Sequence, residues 1–142
     1  MKQIIISTFL SVFLFSCKRE TNMTQTTVKN TVTSGSWSIS FYEDSGENET
    51  SDFQGWIFYF GEDGVLRCEK DGVTSNGTWS ISDSSSDDDS IDDLDFNIVL
   101  YGNPLSELTD DWDIQNYENK TIQLHDVSGG NGGIDILTFT KN

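Results

Sequence analysis

Gly35-Ser36-Trp37-Ser38-Ile39-Ser40 returns almost unchanged later in the chain as Gly77-Thr78-Trp79-Ser80-Ile81-Ser82. In both copies a large ring and a branched apolar side chain take alternate positions, and small polar residues fill the positions between. Side chains alternate between the two faces of a β-strand, so each copy predicts a strand with one buried and one wet face. Trp112-Asp113-Ile114 carries the same spacing without the glycine, which makes Trp-x-Ile a recurring strand device.

Working outward, the same alternation continues along the chain. Trp56-Ile57-Phe58-Tyr59-Phe60, Val65 to Lys70, Leu94 to Tyr101, Asp111 to Tyr117, Thr121 to Val127 and Ile134 to Lys141 each alternate in whole or in part. Gly, Asn and Asp punctuate them: Gly61-Glu62-Asp63-Gly64 predicts a hairpin, Asp71-Gly72 to Gly77 a further turn, and Glu118-Asn119-Lys120 another. Helical periodicity is missing almost everywhere, with one helical turn expected in Leu105 to Asp111. The expectation is eight antiparallel strands from Gly35 to Asn142. They either close into an up-and-down barrel, which removes exposed edges, or form a β-sandwich.

Ahead of these strands, Lys2 precedes the apolar run Ile4 to Phe15, followed by Ser16-Cys17. The run is shorter than the roughly 20 residues a membrane-spanning helix needs and has the order of an export signal. Leu14-Phe15-Ser16-Cys17 resembles the lipobox of bacterial lipoproteins. The resemblance implies cleavage after residue 16 and acylation of Cys17, hence a lipid anchor in the cell envelope. Lys18 to Ser34 is polar and aperiodic and reads as a flexible tether. The predicted organisation is a signal in 1–16, a lipidated cysteine and tether in 17–34, and one domain in 35–142.

The chain has 142 residues, with 24 Asp and Glu against 8 Lys and Arg, and a net charge of -16. Such a surface repels phosphate backbones, which excludes nucleic acid as a partner, and membrane contact is expected through the lipid alone. With Cys17 acylated, Cys68 has no partner for an internal disulfide, and its alternation with Leu66 reads as a small buried apolar residue. A monomer is expected.

Gly35-x-Trp37, the echo at Gly77 to Ile81, Trp112-x-Ile114 and the closing Leu137-Thr138-Phe139-x-Lys141 resemble the small lipocalin-like lipoproteins of Gram-negative bacteria. That resemblance implies an eight-stranded barrel, outer-membrane attachment, and Trp37 as the plug at the barrel's closed end. Unlike the secreted, ligand-carrying lipocalins, the chain is short and has neither a disulfide nor a clear helix after the barrel. A propeller is excluded by length, since four blades need at least about 160 residues.

The inventory for catalysis is thin. His125 is the only histidine, and its alternation with Ile122 and Leu124 places it on a polar face. No enzymatic activity and no cofactor are expected. Asp87, Asp88 and Asp89, in the Asp- and Ser-rich run from Asp83 to Asp93, are candidate calcium ligands because they are hard oxygen donors at high density. They lack the order of a helix-flanked calcium loop, and a solvated loop is the simpler reading. Asp89-Ser90-Ile91 is similar to an O-glycosylation acceptor. Because Trp56 to Phe60 is apolar on both faces, Trp56, Phe58 and Tyr59, with Tyr101, are the candidate contacts for a small hydrophobic ligand or an envelope partner. A β-sandwich binding carbohydrate or protein through exposed Tyr and Trp is the alternative.

Overall fold

The computed structural model describes residues 25–83, 94–127 and 133–142. Its elements are a helix α1 (Gln25–Val32) and strands β1 (Trp37–Asp44), β2 (Glu47–Asn48), β3 (Ile57–Phe60), β4 (Val65–Lys70), β5 (Val73–Asp83), β6 (Leu94–Val99), β7 (Asp110–Glu118), β8 (Thr121–Asp126) and β9 (Asp135–Lys141). Short 3-10 turns at Thr50–Phe53 and Leu105–Leu108 precede β3 and β7.

All pairings are antiparallel, in the order β2-β1-β3-β4-β5-β6-β7-β8-β9. β1 also pairs with β9, from Trp37 opposite Lys141 to Glu43 opposite Ile136. That pairing joins the first long strand to the last, so the eight long strands close into a barrel and the sandwich alternative is set aside. The two-residue β2 is an addition the sequence pattern does not show. It folds back on the end of β1 at Asp44 and Glu43.

Alternation decides which side chains face inward. Trp37, Phe58, Leu66, Cys68, Phe96, Ile122, Leu124, Leu137 and Phe139 are all fully buried. The Phe60 ring lies 5.3 Å from Trp79 and 5.5 Å from both Phe96 and Phe139, each in an edge-on arrangement. Phe58 meets Phe139 the same way at 5.3 Å. Edge-to-face pairs at this separation each add about 1 kcal/mol beyond their buried area. The barrel is therefore filled by its own aromatic side chains.

Three findings change the reading from sequence. Residues 25–32, expected to be tether, form α1, and Val28 and Val32 on it are fully buried. Two valines four apart share one helical face, but among polar neighbours they are too few to show as a periodic pattern. The turn expected from Asp71 to Gly77 is a tight one at Asp71-Gly72, with φ of 50° and 81°, the left-handed pair that a two-residue hairpin requires. Gly77 lies inside β5, where an added Cβ would sit 2.0 Å from the Val99 carbonyl oxygen. It is glycine because a neighbouring backbone passes there.

The three buried or nearly buried Trp residues with the Trp-x-Ile spacing share one polar contact. Trp37 donates its indole N–H to the Val32 carbonyl at the end of α1 (2.8 Å). Trp79 donates to Gly61 in the β3–β4 turn (2.9 Å), and Trp112 to Leu108 in the turn before β7 (3.1 Å). Trp37 thus sits buried under α1. The helix is further held by the Gln25 side chain on the Ile81 carbonyl and by the Tyr117 hydroxyl on the Thr27 carbonyl. At the other end, Phe53, Leu105 and Leu108 are buried, the Tyr42 ring meets Phe53 edge-on at 5.1 Å, and the Tyr42 hydroxyl donates to the Glu107 carbonyl.

Replacing Trp37 with Phe keeps an aromatic filler and deletes the donor to Val32. The expected result is a loss of about 1–3 kcal/mol in chemical denaturation, from the unpaired carbonyl and the smaller ring, and faster amide exchange in residues 25–32 than in β8 and β9.

Candidate functional site

With the interior occupied, chemistry has to be sought on the outer face. The candidate ligand contacts do not come together there. Phe58 points inward and is fully buried, and Trp56 is half-buried against the core. Tyr59 lies on the outside with the Arg67 guanidinium 4.1 Å from its ring centre, and Arg67 is paired in turn with Glu69. Tyr101 follows the end of β6 and is 69% exposed. Asp87, Asp88, Asp89, Cys17 and the Asp89-Ser90-Ile91 acceptor lie outside the described residues. Among the described residues no group of three or more His, Cys, Asp or Glu is arranged to hold a metal ion.

The structure instead brings together a surface depression of about 430 Å³ on β7, β8 and β9, lined by Gln115, Gln123, Leu124, His125, Val127, Ile134 and Ile136. Strand register explains it. Ile122 and Leu124 face the core, so Gln123 and His125 face out. His125 pairs with Asp113 on one side and Ile136 on the other. A β-bulge interrupts the β7–β8 register between Ile114 and Asn116. Bulges re-aim a side chain, and here Gln115 is the residue displaced, bringing its amide nitrogen to 3.4 Å from His125 Nε2.

His125 is on the outer face, as its alternation predicts, but its side chain is only 21% exposed. Nε2 lies 3.6 Å from the Asp113 carboxylate. Nδ1 is buried and finds no hydrogen-bond partner among the described residues. Apolar groups form the rest of the wall, with Val127 57% and Ile134 51% exposed.

Beside this wall the surface turns acidic. Asp95 stands directly opposite Asp113, and Asn97 opposite Asp111. The Asp95 carboxyl is held above the ordinary range, first by partial burial and then by the charges of Asp113 and Asp111. Asp110 shifts in the same direction, chiefly through burial. Like charges directly opposed across a strand pair are destabilising. Cys68, in contrast, faces the interior, and burial pushes its thiol up to about 12, far from a working nucleophile.

No protein-family model and no curated protein matches the chain. Among solved structures, the crystal structure of a DUF4847 family protein from Bacteroides vulgatus superposes with a TM-score of 0.50 at 15% identity, over 81% of this chain and 97% of that one. At this identity the likeness concerns the fold alone.

A carboxyl whose pKa is raised by folding favours the folded state while protonated, and that contribution is lost as pH rises through its folded value. Asp95→Asn is therefore expected to raise the melting temperature at pH 7 by an amount matching a few tenths of a kcal/mol. It should also flatten the decline in stability as pH rises from the ordinary Asp value of 3.8 through the raised one. Thermal melts at low and high salt check this, because screening should shrink the difference.

Proposed function

We propose that the chain is a lipid-anchored protein of the bacterial cell envelope, attached through Cys17 to the outer membrane, whose barrel is a non-enzymatic interaction module working from its outer surface. The observation that carries this reading is the filled barrel. Phe58, Phe60, Trp79, Phe96 and Phe139 occupy the interior, and α1 and the 3-10 turns cover its ends. A small hydrophobic ligand enclosed in the manner of the carrier lipocalins would have to displace these side chains. An envelope partner on the outside would displace nothing.

The helix sharpens the picture of the anchor. With α1 beginning at Gln25, the chain between Cys17 and Gln25 reaches at most about 28 Å at ~3.5 Å per residue, which keeps the α1 end of the barrel close to the bilayer. Acylation with more than one chain makes such attachment stable.

Radiolabelled palmitate fed to expressing cells should enter the wild-type protein and not Cys17→Ala, with the label in the membrane fraction. Equal labelling of Cys17→Ala, or wild-type protein found unlabelled in the soluble fraction, would contradict the anchored reading.

A further inference from the structure

We infer that the depression on β7, β8 and β9 is a docking site for a polypeptide segment that places an apolar side chain beside a lysine or arginine. This rests on the reading that the barrel works from its outer surface, and it names the chemistry of the partner.

Register sets out one lateral row of outward side chains across four strands. Asp95 on β6 opposes Asp113 on β7, Asp113 opposes His125 on β8, and His125 opposes Ile136 on β9. Within these four strands the β6 side of the row is anionic and the β9 side apolar, where Val127 and Ile134 widen the wall, and beyond Ile136 the row continues to Glu43 on β1. Each end lacks something a partner can supply. Among the described residues no lysine or arginine is paired with Asp95 or Asp113, which face each other with only His125 beside Asp113, and Asp111 adds to their repulsion. A lysine or arginine laid over them removes a cost that the isolated barrel carries. The exposed Val127 and Ile134 side chains gain by being covered.

Between the two ends lies the unpartnered His125 Nδ1. A buried polar atom without a partner destabilises the isolated barrel. The polar groups that a peptide backbone passing over the row can reach lie on the Nε2 side of the ring, at Gln115 and Asp113. The bulge that turns Gln115 into the same depression adds a side-chain amide able to donate to and accept from a peptide bond.

Charge argues for this occupant over a second copy. A chain of net charge -16 repels its own kind and attracts a cationic segment from a distance. Spacing narrows the segment further. Directly opposed residues lie about 5 Å apart, so Asp113 and Ile136, two steps apart in the row, are separated by roughly 10 Å. An extended chain rises about 3.3 Å per residue and turns only every second side chain to one face, so the basic and apolar side chains should be four residues apart, the flexible stem of the basic residue covering the difference.

The test uses the full chain carrying Cys17→Ser, which removes the acyl group and makes binding independent of anchoring. The probe is a fluorescent synthetic peptide with one lysine and one leucine four positions apart on an alanine and serine background. Saturable binding is expected by anisotropy. It should weaken at least tenfold when the peptide lysine becomes glutamate or its leucine becomes serine, and likewise for the double variant Asp95→Asn with Asp113→Asn.

The double variant Glu62→Gln with Asp63→Asn, which removes the same charge beside α1, should bind as the wild type does. Amide shifts at Gln115, Gln123 and His125 on peptide addition would support the site. Absence of binding, or equal weakening in the two double variants, would overturn it. Shifts confined to Phe58 and Phe139 would also overturn it, and would in addition count against the outer-surface reading itself.

Discussion

A tryptophan buried in a barrel wall brings an indole N–H into a place where the strand backbones have already used their carbonyls on one another. Left unpaired it would cost about 1–3 kcal/mol, so it must find an acceptor outside the ladder. Trp37, Trp79 and Trp112 each solve this with a carbonyl from a turn or helix end, at Val32, Gly61 and Leu108. Each bond also does the reverse service, since the last carbonyls of α1 have no partner within the helix. The tryptophans that pattern the strands therefore also tie the covering segments to the barrel.

Much follows from that coupling. Because α1 is tied down over Trp37 and the Leu105–Leu108 turn over Trp112, the ends of the barrel are covered and the aromatic rings between them pack on one another. Enclosed binding would have to displace these rings, which is why the proposed recognition is placed on the outer face. There the excess of acids has its own consequence. Opposed pairs such as Asp95 and Asp113 are tolerated on a surface that lacks the lysines to neutralise them, which leaves that surface suited to a cationic partner.

The strands were legible because alternation has a period of two and repeats at every turn of the chain, and barrel closure was one of two arrangements that pattern allowed. What alternation could not show is the part set by distant neighbours. Val28 and Val32 are buried where the Trp37 indole supplies a donor to the carbonyl at the end of their helix. Gly77 resembles a turn glycine until the Val99 backbone is seen beside it. Tyr59 and Tyr101 are aromatic and outward, but one is covered by Arg67 and the other stands apart past the end of β6. The depression around His125 depends on a bulge at Gln115 and on β9 lying beside β8, neither of which a single strand's pattern contains. The only usable signal was the outward placement of His125, and it pointed to a face without revealing a site.

Binding from outside, as proposed, requires a barrel interior occupied by its own side chains. The most direct measurement is an NMR titration of the full chain carrying Cys17→Ser with a hydrophobic fluorescent probe, following the amides of Phe58, Leu66, Phe96 and Phe139. The account predicts that these inward-facing positions do not shift on probe addition. Saturable shifts at all four, with the probe emitting as in an apolar cavity, would contradict it.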